Sequence, residues 1–272
     1  MIAVDTHAHI FAQGLKLAEV YRYAPSYNAP VEAYLAALDA NDIRCGVLVQ
    51  PSFLGVDNDY MIDALRRYPD RLRGIAVVDP SIDTGSLDRM DADGVVGIRL
   101  NLQRLPIPAF TKGAWPKFLA HLRRLDWQVE IIRESADLPF LIEPLLDAGL
   151  TVVVDHFGRP DATAGVDDPG FQYLLSRGRS RRVWVKLSGG YRNWPGDSTG
   201  PVARESAALL LEAMGPERLV WGSDWPHTQN EAIRFADTVH NLIDWVPDPD
   251  DRRIILQDSP LRLFRFNQAI GG

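Results

Sequence analysis

The stretch IAVDTH at residues 2–7 predicts a β-strand that ends on His7, with a second histidine, His9, two residues later. Seven more short runs rich in Val, Ile and Leu follow along the chain, and such near-continuous apolar runs are typical of strands buried on both faces. These runs are GVLVQP (46–51), RGIAVV (73–78), VVGIRLN (95–101), WQVEII (127–132), TVVVDH (151–156), VWVKLS (183–188) and RLVWGSD (218–224). The sequence therefore predicts eight strands.

Helical segments separate most of these strands, at intervals of about 20 to 35 residues, the length of a βα unit. Predicted helices cover 31–41, 58–68, 114–125, 136–148, 168–178, 201–214 and 230–244, with a weaker one in 79–94 near Leu87 and a last pair at about 250–267 that closes the bottom or side. This alternation predicts an α/β fold, a (β/α)8 TIM barrel, as a single domain over residues 1–272. No GxGxxG motif follows the first strand, which disfavours an open doubly wound sheet.

The composition narrows the class of protein. A length of 272 residues suits one barrel, and a hydrophobic content of 46% argues against disorder. The formal charge of −7 argues against a nucleic-acid partner. No run approaches the roughly 20 apolar residues of a membrane span, and the single cysteine, Cys45, excludes an internal disulfide. We therefore expect a cytoplasmic monomer or homodimer that acts without a membrane.

Ionisable side chains collect at the predicted carboxyl ends of the strands, where the active sites of such barrels lie. They are His7 and His9 on strand one, Arg99 and Arg104 on strand four, Glu130 on strand five, Asp155 and His156 on strand six, Lys186 and Arg192 on strand seven, and Asp224 and His227 on strand eight. Burying polar groups without partners costs several kcal/mol each. A purely structural explanation covers one or two of them, so we expect a functional cluster.

His7 and His9 form the most informative pair, because residues i and i+2 of a strand face the same side. Their imidazoles can converge on a metal ion or a carbonyl oxygen, although one could instead be a core residue and the other a loop residue. His156 could likewise polarise a substrate carbonyl or ligate a metal. Its neighbour Asp155 points the other way if the strand persists.

Asp224, within GSDWPH, is the best candidate for a general base, and Pro226 forces the chain out of the strand there. Partial burial would raise the pKa of its carboxyl group and let it take a proton from water. The alternative is an N-cap for the next helix. Glu130 and Lys186 fall inside strands and could simply pair across the barrel interior.

Three arginines suit a substrate with two negative charges, because a guanidinium group binds a carboxylate through two parallel hydrogen bonds. They are Arg99, Arg104 and Arg192. For any one of them a surface salt bridge is the alternative. That alternative is weakest for Arg99, since GIRLN is otherwise a buried strand.

Several longer motifs carry a family resemblance that spans residues 3–265. They are RYAPSYNAP (22–30), GVLVQPSFLGVDN (46–58), GIRLN (97–101), VVVDHFGRPD (152–161) and VWGSDWPH (220–227). Together with HxH on strand one, a histidine on strand six and an aspartate on strand eight, they resemble the amidohydrolase superfamily, of the amidohydrolase 2 type. Within it they resemble the branch of 2-pyrone-4,6-dicarboxylate lactonase.

This resemblance implies an amidohydrolase-like barrel that hydrolyses a carboxylated lactone, either 2-pyrone-4,6-dicarboxylate or a sugar-acid lactone, as in aromatic degradation. The residues that match the family's site are Asp224 as base, His7, His9 and His156 around the carbonyl, and Arg99, Arg104, Arg192, Tyr23 and His227 against the substrate. Strand five departs from the pattern. Ile132 or a neighbour stands where the lactonase has a pocket tyrosine, and Glu130 stands where an apolar residue is expected. These departures favour a different lactone.

The resemblance also bears on cofactors, since the branch includes enzymes that need no metal and enzymes that use one divalent ion. No lysine ends strand four or five to bridge two ions, which argues against a two-metal site. We expect a metal-free reaction. A single zinc ion would otherwise draw its ligands from His7, His9, Glu130, His156 and Asp224.

Three other functions stay open from the sequence. Two belong to the same superfamily: a metal-dependent decarboxylase, and a lactone isomerase that shifts the acyl group to another hydroxyl. The third is a non-catalytic binding protein on a barrel scaffold. Product chemistry separates the first two from hydrolysis, because only hydrolysis accumulates a ring-opened acid without release of carbon dioxide.

Overall fold

A computed structural model describes residues 3–266. Eight parallel strands form one sheet, in which each strand pairs with the next along the chain. The strands are β1 (Val4–Ala8), β2 (Cys45–Val49), β3 (Leu72–Ala76), β4 (Val95–Asn101), β5 (Gln128–Ile132), β6 (Val152–Val154), β7 (Val183–Leu187) and β8 (Leu219–Trp221). The eight predicted strands are all present. Only Ile2, at the start of the first prediction, lies outside the described residues.

The two edges of the sheet meet, which makes a nearly closed cylinder. The Asp224 amide donates to the His7 carbonyl at 2.8 Å, and the His9 amide donates to the Trp225 carbonyl at 2.7 Å. The Thr6 hydroxyl adds a bond of 2.8 Å to the carbonyl of Trp221. The chain therefore forms the predicted (β/α)8 TIM barrel, and the backbone that closes it carries His7, His9 and Asp224.

Helices follow the strands and cover the outside of the barrel. They are α1 (Val31–Asp39), α2 (Asp59–Arg67), α3 (Thr84–Ala92), α4 (Trp115–Arg124), α5 (Leu138–Asp147), α6 (Pro169–Ser176), α7 (Gly190–Asn193), α8 (Pro201–Met214), α9 (Phe235–Trp245), α10 (Pro249–Arg253) and α11 (Ser259–Leu263). The weakly predicted third helix forms, and the Asp83 carboxylate caps it by accepting from the Ser86 amide at 2.9 Å. No helix within residues 3–266 is both long and apolar enough to cross a membrane.

Strands β6 and β8 end earlier than predicted. The predicted runs 151–156 and 218–224 shorten to Val152–Val154 and Leu219–Trp221. The left-handed backbone conformations of His156 and Asp224, with φ of 52° and 62°, prevent either strand from running through these residues. Turns also occupy residues 228–234, so α9 begins at Phe235 rather than near residue 230.

The C-terminal segment closes the barrel at the end opposite the candidate site. A π-helix, Ile254–Asp258, joins α10 to α11, so the predicted helical pair is one continuous helical segment. The last predicted residue, 267, lies outside the described residues. Phe264 and Phe266 are fully buried in one apolar cluster with Val4 and Cys45, which begin β1 and β2. The floor of the cylinder is therefore an aromatic plug.

Candidate active site

Asp224 and the two N-terminal histidines meet at the strand-end side of the barrel. Asp224 Oδ1 lies 3.8 Å from His7 Nε2 and 3.6 Å from His9 Nε2. The His7 ring lies 5.0 Å from that of His9 and 4.9 Å from that of His156, centroid to centroid. All four side chains are buried. The structure therefore brings the four predicted catalytic residues together.

The second oxygen of Asp224 is held from outside the cluster. Asp224 Oδ2 accepts from the Tyr191 hydroxyl at 2.6 Å and also from Arg192 Nε. Burial raises the pKa of Asp224, but the Arg192 guanidinium and the neighbouring imidazoles together hold it well below its usual range. The expected upward shift is therefore wrong, because the ion pair outweighs burial, and Asp224 stands ready as a carboxylate.

The contacts of His9 decide which of its ring nitrogens carries hydrogen. Nδ1 lies 2.7 Å from the Val49 carbonyl oxygen, which can only accept, so Nδ1 is the donor. Burial lowers the pKa of His9 to about 4, with Arg99 as the next contributor, so the ring is neutral at pH 7. His9 Nε2 therefore offers a lone pair towards Asp224 Oδ1.

His156 reaches the site because β6 ends early. Its Nδ1 lies 2.9 Å from the Ser188 hydroxyl, and burial lowers the pKa of its ring to about 4. Asn193 in α7 donates to the His156 carbonyl at 2.8 Å and holds the left-handed turn. Asp155 does not point away, because its own backbone is still extended, with φ of −72° and ψ of 149°, and the left-handed turn comes one residue later, at His156. It is buried beside His7, with Oδ1 3.4 Å from His7 Nδ1.

A buried charged cluster lies beside His7, on the side of the ring turned away from Asp224. Lys186 Nζ contacts Glu130 Oε1 at 2.6 Å and His7 Nδ1 at 3.1 Å. Arg99 Nε donates to Asp155 Oδ2 at 3.1 Å. The expectation that Glu130 and Lys186 pair across the barrel is confirmed. Two cationic and two acidic side chains meet there, and burial raises the pKa of Glu130 to about 7, although Lys186 lowers it.

The cleft above Asp224 is lined by four arginines. Arg99 and Arg192 were expected, while Arg22 and Arg159 were not, although both lie in motifs that sequence reasoning singled out. Arg99 pairs with Asp155, and Arg192 with Asp224. Neither of the other two forms an ion pair with a carboxylate within residues 3–266. The Arg22 guanidinium is held by Gln103 and Asn101, and burial lowers the pKa of Arg159.

Two of the predicted substrate residues do not reach this cleft. Arg104 is exposed in the turn after β4, where the Leu105 amide donates to the Leu102 carbonyl, and that turn carries the side chain away. His227 is buried but packs against the ring of Tyr191, with centroids 6.0 Å apart, rather than lining the cleft. Tyr23 does line the cleft, and its hydroxyl bonds to Thr228 at 2.8 Å. Ile132 lines it too.

The donor atoms fit a single divalent ion only in part. Atoms of His7, His9 and Asp224 lie within 4.8 Å of one another. His9 and Asp224 offer a lone pair and a carboxylate oxygen, which suit zinc. His7 would join them only with its hydrogen on Nδ1, bonded to Asp155. Glu130 is in a second group with His7 and Asp155, next to Lys186, and His156 is in neither group.

The comparisons with known proteins agree with this geometry. The family model described as Amidohydrolase matches residues 4–266. The chain belongs to this amidohydrolase family. A curated relative, 4-sulfomuconolactone hydrolase of Hydrogenophaga intermedia, is 32% identical over 275 residues, which cover 96% of this amidohydrolase and 88% of the relative. The 2-pyrone-4,6-dicarboxylate hydrolase of Comamonas testosteroni is 32% identical over 280 residues, which cover 96% and 90% of the two chains.

A solved structure extends the similarity to three dimensions. It is a probable 2-pyrone-4,6-dicarboxylic acid hydrolase from Acinetobacter baumannii, crystallised with citric acid bound. It superposes on this amidohydrolase with a TM-score of 0.93 at 40% identity and covers 97% of this chain and 100% of its own. The predicted superfamily and branch are therefore confirmed.

Proposed function

We propose that this amidohydrolase is a hydrolase that opens a carboxylated lactone by the attack of water. The observation that carries the proposal is the position of the Asp224 carboxyl group, which lies within 3.8 Å of two imidazoles in an arginine-lined cleft. The named relatives that are 32% identical hydrolyse lactones, which supports an ester rather than an amide substrate.

Asp224 and His9 provide two acceptors for one water molecule. Asp224 Oδ1 and His9 Nε2 are 3.6 Å apart and both carry lone pairs at neutral pH. Two such acceptors facing each other need a hydrogen-bond donor between them, and a water molecule has two. This arrangement holds the attacking oxygen and directs one of its protons at the carboxylate.

The reaction then follows from the movement of one proton. As the water oxygen bonds to the lactone carbonyl carbon, Asp224 takes the water proton, and negative charge develops on the carbonyl oxygen. Collapse of this tetrahedral species breaks the bond between the carbonyl carbon and the ring oxygen. Asp224 returns the proton to that leaving oxygen, so the carboxylate is regenerated. The cluster of neutral imidazoles surrounds the developing charge.

Arg22 and Arg159 extend this proposal to the substrate. Both line the cleft without a carboxylate partner in the described chain, whereas Arg99 and Arg192 are paired. Two guanidinium groups without an ion-pair partner favour a substrate that carries two anionic groups in addition to the ester. We infer that these two arginines, with Tyr23 beside them, take part in holding the substrate.

A bound divalent ion would be held by His9 and Asp224, and it would supply Lewis acidity to the ester or its attacking water.

In this proposal the enzyme is a single domain that acts in the cytoplasm. A free, buried Cys45 suits a reducing compartment.

A panel of pyrone, muconolactone-type and sugar-acid lactones, assayed with and without a chelator, tests the function. Product NMR should show a ring-opened acid, and an isomerised lactone or released carbon dioxide would contradict hydrolysis.

The variant Asp224→Asn, which keeps the shape of the side chain, should lose at least about 10³-fold in kcat with an unchanged circular dichroism spectrum. A near-wild-type rate would remove Asp224 from the mechanism.

A further inference from the structure

The proposed reaction leaves two buried ionisable residues without a role. Lys186 and Glu130 are both fully buried inside the barrel, and neither lines the cleft. They contact each other at 2.6 Å, and Phe264 of the floor lies below Lys186, with the ring centroid 5.9 Å from Nζ. Burying a charged pair is expensive unless its geometry serves a purpose. Lys186 Nζ also lies 3.5 Å from Asp155 Oδ1, but its direct contact with a proposed catalytic residue is the one with His7 Nδ1.

His7 Nδ1 has two polar neighbours, one that requires it to accept a hydrogen bond and one that requires it to donate. Lys186 Nζ lies 3.1 Å away, and an ammonium group can only donate. Asp155 Oδ1 lies 3.4 Å away, and a carboxylate can only accept. The lysine is closer, and its position is fixed by the contact with Glu130. Asp155 is drawn to the other side, since Arg99 Nε and Nη2 both lie 3.1 Å from its Oδ2.

We propose that Lys186 is a positioning residue that donates to His7 Nδ1 and thereby keeps the imidazole hydrogen on Nε2. The inference rests on the proposed function. His7 Nε2 is buried, has no hydrogen-bond partner in the described chain, and faces Asp224 across 3.8 Å. An Nε2–H group at this point donates a hydrogen bond to the carbonyl oxygen of the lactone, where negative charge develops.

The two neighbouring histidines then perform opposite tasks. Val49 places the hydrogen of His9 on Nδ1, so its Nε2 accepts from water, while Lys186 places the hydrogen of His7 on Nε2, so its Nε2 donates to substrate. The same arrangement keeps His7 from binding a cation, because a protonated ring nitrogen has no lone pair for a metal. Lys186 therefore makes His7 a hydrogen-bond donor to the oxyanion rather than a ligand for a metal ion.

The tautomer of His7 is measured directly by ¹⁵N NMR of protein labelled at histidine, with assignment by loss of the signal in His7→Gln. The wild type should show Nε2 protonated and Nδ1 unprotonated. The double variant Lys186→Met/Glu130→Gln removes the donor together with its acidic partner, and it should move the hydrogen to Nδ1, facing Asp155. The control Glu130→Gln keeps Lys186 and should keep the wild-type tautomer.

Two further readouts follow from the same variants. The double variant should lose about 10²-fold in kcat with KM within about threefold, the pattern expected when one oxyanion donor is removed. Zn²⁺, titrated calorimetrically, should bind the double variant at least about tenfold more tightly than the wild type. The further change His9→Gln should abolish that gain. A merely structural role for Lys186 would alter stability and leave metal affinity unchanged.

A wild-type His7 with its hydrogen on Nδ1, or a double variant with unchanged tautomer and unchanged Zn²⁺ affinity, would overturn the inference. The wild-type spectrum decides the matter even if the double variant fails to fold. The measurement needs no substrate, so a failed lactone panel together with Nε2–H in the wild type would overturn only the proposed function.

Discussion

At the scale of single residues, the two oxygens of Asp224 have separate surroundings. Oδ2 accepts from Tyr191 and Arg192, while Oδ1 faces His7 and His9. The ion pair keeps the carboxyl group charged, and Oδ1 stays available for a proton. A strongly paired carboxylate is a weak base, so its effect depends on where it holds the water rather than on a raised pKa.

The activity should depend on pH through the neutral imidazoles. Burial lowers the pKa of His9 and of His156 to about 4, so both rings are uncharged from pH 7 down to about pH 5. Protonation of His9 Nε2 removes the acceptor for water, so the neutral form is the active one. We expect kcat/KM to be flat above pH 5 and to fall as the pH drops through about 4. An acid limb near 6.5 would contradict this assignment.

The arginines of the cleft allow a matched comparison. Arg22→Met or Arg159→Met should raise KM about 10- to 100-fold for a lactone with two anionic groups, because a charged hydrogen bond contributes about 1.5–3 kcal/mol. Arg104→Met is the control. It removes the same charge from an exposed position outside the cleft and should change KM less than twofold. Equal effects of all three variants on KM would indicate long-range electrostatic attraction of the substrate rather than direct contact with it.

At the scale of elements, the turns that follow the strands aim the catalytic side chains. The left-handed turns at His156 and Asp224 bend the chain inward after β6 and β8. Helix α7 then presents Tyr191 and Arg192 to Asp224, and it starts from Gly189, whose φ is 58°. These short elements are as necessary to the site as the strands themselves.

Gly189→Ala should disturb this arrangement. A Cβ atom at residue 189 would lie 2.6 Å from His156 Nδ1, so the imidazole must move. We expect at least about a tenfold loss of kcat. The control is Gly196→Ala, which also has a positive φ, 80°, but has nothing within 4 Å of the added carbon. Both variants carry backbone strain of about 1 kcal/mol, so only the clash separates them in the assay. Equal kcat values for the two variants would contradict the prediction.

At the scale of the whole molecule, one end of the barrel is lined by ionisable side chains and the other is filled by apolar ones. The ionisable cluster occupies the strand-end side, and Phe264 and Phe266 fill the opposite side against the starts of β1 and β2. The aromatic plug excludes water from beneath Lys186 and Glu130, and a low local dielectric strengthens every charge interaction above it.

Removal of the plug should therefore cost stability. Phe264 is fully buried, and Phe264→Ala should lower the free energy of unfolding by about 3–5 kcal/mol, as measured by chemical denaturation. Phe140→Ala deletes the same ring where it is 62% exposed and should change that free energy by about 0.5 kcal/mol or less. A small effect at Phe264 would mean that the C-terminal segment does not support the barrel.

Much of this architecture was predictable from local pattern, and the failures share one cause. Eight apolar runs predicted eight strands, and strand ends predicted the general place of the site. The orientation of Asp155, the exposed position of Arg104 and the entry of Arg22 and Arg159 into the cleft were not predictable. Each depends on turn geometry and on loops that meet only across the barrel mouth, which alternation along a strand does not encode.

The chain by itself determined the barrel and the chemical types at its rim, because apolar periodicity and strand-to-helix spacing are local properties. Only the tertiary structure decided which of those groups are charged and which ring nitrogen of each histidine carries the hydrogen. Asp224 is a carboxylate because Arg192 reaches it, and His9 is an acceptor because the Val49 carbonyl binds its other nitrogen. Protonation depends on distances between residues far apart in the chain, and those distances exist only once the cylinder has closed.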